Sequence, residues 1–149
     1  MSTSANVSAP APSAARSINR RNVALANATE LTGRSLLALL FLLSGVGKLG
    51  AYGATVAYMS SQGVPGALLP LVIATELLGA IAIILGWNTR IVAFLLAGFS
   101  LLTALTLHNN FADQIQMVMF LKNVSIAGAF LLLVANGAGQ LSLDRRLAR

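Results

Sequence analysis

The 149-residue chain contains no cysteine, one histidine, one tryptophan and four acidic residues. Without cysteine it holds no disulfide framework, thiolate metal site, iron–sulfur cluster or thiol redox relay of its own. A single histidine cannot supply the bis-histidine ligation of a b-type haem within a monomer, and no His/Asp/Glu spacing makes a metal site. No Gly-rich phosphate loop or nucleophile triad is present. Charge is scarce as well. Only 9% of the residues are charged, where a soluble domain carries about a quarter.

The sequence is instead 56% hydrophobic, with a mean hydropathy of +0.79. Most of that apolar surface has to face lipid. The net charge of +6 does not indicate nucleic-acid binding, because the cations sit at the ends of apolar runs and in two terminal segments. They form no single basic face interleaved with aromatics.

Residues 1–28 are rich in Ser, Ala, Asn and Pro and have no core-forming apolar run, which predicts a disordered basic tail. Arg20-Arg21 resembles a twin-arginine export signal, but Glu30 and Arg34 precede the first long apolar run, so a cytoplasmic flank is the expected role. Four apolar stretches follow, at about 30–49, 67–86, 89–107 and 116–136. Each is close to the 20 or so helical residues that cross a bilayer. The fold class expected is all-α: a four-transmembrane-helix bundle spanning 29–137, with a basic tail at 138–149. Between the first two stretches, residues 54–61 suit a short interfacial helix, with Tyr52, Tyr58 and Met59 at the headgroup boundary. Gly86-Trp87-Asn88 forces a tight return, and Asn136-Gly137 is a plausible helix stop. Ser44 and Gly45 are small enough to admit a neighbouring helix.

Glu76 lies near the middle of the second stretch, and a carboxylate there needs pairing, protonation or access to water. It is about 15 Å of helical rise from Gly66, while Lys122 is about 9 Å from Gln116. A lysine stem bridges much of the difference, so Lys122 is expected to reach Glu76 if the second and fourth helices are neighbours. Lys48 and His108 end their helices at the same membrane surface. Lys48, Glu76, His108, Lys122 and Asn123 are therefore the candidate ligand-binding residues, with Tyr52, Tyr58, Asn109 and Asn110 as further polar lining. Arg34 and Arg90 are read as snorkelling anchors on the cytoplasmic side.

The cations set the expected orientation. Arg16, Arg20, Arg21, Arg90, Arg145, Arg146 and Arg149 all fall on one side of four antiparallel spans, so the positive-inside rule predicts both termini in the cytoplasm.

Several residue groups together resemble the DoxX family of small bacterial four-helix membrane proteins. They are Gly33-Arg34 opening an apolar helix that ends Ser44-Gly45-Val46-Gly47-Lys48-Leu49, the Gly63-Val64-Pro65 turn, Glu76-Leu77-Leu78-Gly79, Leu85-Gly86-Trp87-Asn88-Thr89-Arg90, His108 and Phe120-Leu121-Lys122-Asn123. The likeness runs from about Thr32 to Asp144. It implies the four-helix fold, a bacterial inner-membrane location and an association with quinones, but no particular reaction.

Three function classes follow. In the first, the protein is a small membrane subunit or accessory of a quinone-linked redox system and binds a quinone-like ligand near the outer face. A quinone carbonyl takes a cationic or imidazole donor and its reduction takes a proton, which Lys122, His108 and Glu76 would supply. With no electron carrier of its own, the chain would need a redox partner protein or a bound cofactor. The second class is a proton-coupled carrier using Glu76, for which a homo-oligomer suits so short a chain. The third is a structural membrane scaffold in which Glu76 holds two helices in register.

Overall fold

The computed structural model describes residues 12–148, with side chains from Asn19 onward. The described chain is built from helices: α1 (Pro12–Gly50), α2 (Tyr52–Ser61), α3 (Leu69–Leu85), α4 (Thr89–Leu107), α5 (Gln114–Asn136) and the short α6 (Leu143–Leu147). A single 3-10 turn, Gly66–Leu68, leads into α3, and with it four helical stretches, in α1, α3, α4 and α5, are long and apolar enough to cross a membrane.

The first helix begins earlier than hydropathy suggests. Residues 12–28, expected as part of a tail, continue α1, which is 39 residues long; residues 1–11 lie outside the described residues. Neither Pro nor Gly interrupts the chain between Pro12 and Gly33. Once a helix is nucleated by packing, extending it through Ala, Arg and Leu costs little. α5 likewise starts at Gln114, two residues before the apolar run, because Asp113 caps it by accepting from the Ile115 amide at 2.8 Å.

α1 packs along α3, and α4 along α5, while α3 and α4 meet less extensively. The molecule is thus two helix pairs joined at the 86–88 turn. Small residues set the close approaches. A Cβ on Gly45 would lie 2.7 Å from Leu77, and one on Gly79 would lie 2.9 Å from Leu96. Where the pairs meet, Ala38, Ala80, Ala93, Ala97 and Ala127 surround Phe41, Ile83, Leu96 and Phe130 in one core. Phe41 stands edge-on to Phe130, with centroids 5.4 Å apart, and 6.3 Å from Phe99. A second cluster of Met59, Leu69 and Ile73 seats α2 on the start of α3.

The 86–88 turn is a Schellman stop. Gly86 adopts φ +68°, its amide donates to Ile83 O and the Trp87 amide to Ala82 O. The segment 138–148, expected as a tail, folds back onto this turn. The Asp144 carboxylate accepts from the Asn88 and Thr89 amides at 2.7 and 2.9 Å, and the Asp144 amide donates to Gly86 O.

Candidate functional site

Ser44 and Lys48 are four residues apart on α1 and so share the face that meets α3. The missing side chain of Gly45 brings α3 close at the level of Glu76, whose Cβ would stand 3.4 Å from a Cβ at Gly45. Lys48 Nζ donates to Glu76 Oε1 and Oε2 at 2.8 and 2.9 Å and to Ser44 Oγ at 2.6 Å. Ser44 Oγ in turn donates to Glu76 Oε1 at 3.1 Å. All three ammonium hydrogens are engaged, and the charges cancel. The Glu76 side chain is 6% exposed and that of Lys48 25%.

The partner of Glu76 is therefore Lys48, and the expected pairing with Lys122 does not form. The reason is adjacency: α3 packs on α1, whereas Lys122 sits on α5, which packs on α4. Lys122 Nζ instead contacts Met119 Sδ at 3.2 Å.

Lys48, Glu76, His108, Lys122 and Asn123 nonetheless line one cavity of about 580 Å³. It lies between the two helix pairs, on the side away from the 86–88 turn. Phe41 and Phe99 link it to the central core, and Leu71, Leu102 and Thr103 contribute to its walls. Met59 and Tyr58 on α2 border it, and the Tyr58 hydroxyl donates to Leu107 O at 3.2 Å, tying α2 to the end of α4. Tyr52, Asn109 and Asn110 lie outside the lining. His108 is the residue that ends α4, and its Nδ1 is 2.8 Å from Gln116 Oε1. With the amide oxygen as acceptor, Nδ1 carries the hydrogen and Nε2 is left unengaged. The Asn123 amide donates to Met119 O at 2.9 Å. Among the described residues no group of three or more His, Asp or Glu side chains is placed to hold a metal.

At the opposite end the expected roles change. Arg34 is 3% exposed and donates to the carbonyls of Ala138 and Leu141. It is not a snorkelling anchor but a buried tie between α1 and the C-terminal segment, since those carbonyls are otherwise left free beyond the end of α5. Arg90 is exposed, near Gly137. A Cβ on Gly86 would stand 2.5 Å from Ser142 Cβ and 2.7 Å from Arg34 Nη1. Sequence reasoning missed Ser142 and Asp144. Ser142 accepts from the Arg145 amide at 3.2 Å, and a serine cap before a short charged helix is the signal that marks it.

A family model described as DoxX matches residues 29–109. The chain is 48% identical over 117 residues to the inner membrane protein YqjF of Escherichia coli, covering 78% of this chain and 90% of that one. It is 42% identical over 123 residues to the inner membrane protein YphA of the same organism, covering 78% and 88%. No solved structure matches it. The family match runs from the middle of α1 to the residue after the α4 cap and so takes in Lys48, Glu76 and His108, and the relatives extend the likeness over most of the chain: this is a four-span integral membrane protein of the DoxX family.

Proposed function

We propose that this protein is an inner-membrane accessory subunit that holds a quinone-like amphipathic ligand in the cavity between its two helix pairs and presents it to a redox partner. The observation that carries the reading is the cavity itself, which combines apolar walls with a partly buried ion pair, an imidazole and a second ammonium group. Ligand sites of this size are mostly apolar with a few placed polar groups. Leu71 and Leu102 line it and are also largely exposed on the lipid-facing side, which suits a ligand arriving from the bilayer. His108 Nε2, Lys122 and the Asn123 amide are the groups available to a ring carbonyl. The Lys48–Glu76–Ser44 network is the rigid polar wall against which the ligand orients.

The names of the relatives support the inner-membrane location. The arginines support the orientation, with both termini cytoplasmic and the cavity towards the outer face. The test is binding of a short-chain ubiquinone to the protein in lipid nanodiscs, read by equilibrium dialysis and thermal shift. Wild type should bind, and Glu76→Gln and His108→Ala, checked for folding, should bind more weakly. No binding by folded wild type, or equal binding by the folded variants, would leave these residues a purely structural role.

A further inference from the structure

The charge balance of the cavity lining carries the reading one step further. Its ionic side chains are Lys48, Glu76 and Lys122, with His108 beside them. Lys48 and Glu76 cancel within a closed network that uses every ammonium hydrogen. Lys122 has no such match: among the described residues it forms no ion pair, and its one hydrogen-bond partner is a thioether sulfur, a weak acceptor. The remaining side-chain carboxylates of the described residues lie elsewhere. Asp113 caps the start of α5, about 13 Å of helical rise from Lys122. Asp144 caps α4 at the far end, and Glu30 lies beside Gly139 at that same end. One uncompensated positive charge thus remains on a cavity with largely apolar walls.

We infer that the ligand carries a single negative charge on its oxygen head group and that Lys122 recognises it. The inference rests on the reading of this cavity as a ligand site. Lys122 is an exposed residue on the open side of the cavity; an unpaired cation within an apolar span is costly, and an anion brought to it from lipid relieves that cost and fills the free ammonium donors with charge-assisted hydrogen bonds. Asn123, the next residue on α5, adds an amide to the same lining. Glu76 does not repel the anion, because Lys48 and Ser44 cover both of its oxygens. The ionised hydroxyl of an acidic quinone and the carboxylate of an alkyl acid share this chemistry.

Three probes in phosphatidylcholine nanodiscs separate the possibilities: an alkyl hydroxynaphthoquinone ionised at neutral pH, its neutral methyl ether, and an alkyl carboxylate of the same chain length. Wild type should bind the ionised quinone about tenfold or more tighter than the ether, the scale of a charge-assisted hydrogen bond. Lys122→Gln should weaken the ionised quinone far more than the ether, so that the difference disappears, and Lys122→Arg should keep it. Equal affinity for ionised quinone and ether overturns the charge inference and leaves the quinone reading standing. A preference that persists in Lys122→Gln overturns the assignment to Lys122. Binding of the carboxylate alone supports the anion site and removes the quinone reading, and binding of none of the three overturns both.

Discussion

A carboxylate inside an apolar helix is stable when its charge is matched and its lone pairs are filled, and Glu76 meets both conditions through Lys48 and Ser44. Removing one partner of such a pair strands the other, at a typical cost of about 3–5 kcal/mol, whereas removing both costs much less. Since Lys48 is a quarter exposed, losses near the lower end are expected. Glu76→Gln and Lys48→Met should each lower thermal stability in detergent, and the double variant should lose far less than their sum. Glu76→Gln combined with Lys122→Met should instead be additive, because no ion pair or hydrogen bond joins those residues. Additive losses for the first pair would show that the ion pair does not hold α1 to α3. That Glu76 needs a partner was legible from its position in an apolar run. Which lysine answers it was not, because depth along a helix is readable from sequence and adjacency is not. The one local clue was the small pair Ser44-Gly45 just before Lys48, where a close neighbour fits.

Among the elements, the 86–88 turn and α6 form a unit that hydropathy hides. The Arg-rich segment after Gly137 reads as a tail because it has no apolar face, yet hydrogen bonds from Arg34, Asn88 and Thr89 hold it in place. Such ties depend on donors more than 50 residues away in sequence, which periodicity cannot reveal. The Gly86 stop was legible; the reason that position tolerates no side chain was not. Gly86→Ala should cost at least about 1–2 kcal/mol from the left-handed backbone alone, and more from the Ser142 and Arg34 contacts, measured as a drop in Tm. Asp144 adds a pH dependence. Burial alone would raise its carboxyl, but the Thr89 and Asn88 hydrogen bonds and the Arg34 charge outweigh that and hold it below the usual carboxylate value. A folded value below the unfolded one stabilises fully above the unfolded value and is lost as pH falls through the folded one. Acidification through the carboxylate range should therefore release α6 in wild type, seen as lower hydrogen-exchange protection of the Asn88 and Thr89 amides relative to their intrinsic rates at each pH. Asp144→Asn should show that loss of protection already at neutral pH.

For the whole molecule, the number of spans and their antiparallel order follow from four apolar stretches and the polar connections between them, and the structure has that order. The arrangement of the spans as two pairs joined at the 86–88 turn depends on which small residues face which neighbour, so it emerges only in three dimensions. It places the N-terminal part of α1, the 86–88 turn and α6 at one end, as the Arg34 and Asp144 contacts require, and the cavity towards the other. Arg20, Arg21, Arg90, Arg145 and Arg146 lie towards the first end, while Asp113 and His108 lie at the second. In a chain free of cysteine, single replacements report this directly. Ser60→Cys on α2 and Gln140→Cys near α6 both substitute exposed residues. A membrane-impermeant maleimide should label Ser60→Cys in spheroplasts and Gln140→Cys only in inverted vesicles. Labelling of both from one side would overturn the four-span arrangement. Labelling from opposite sides in the reverse sense would preserve it but turn the cavity towards the cytoplasm, where a different set of partners would meet the ligand.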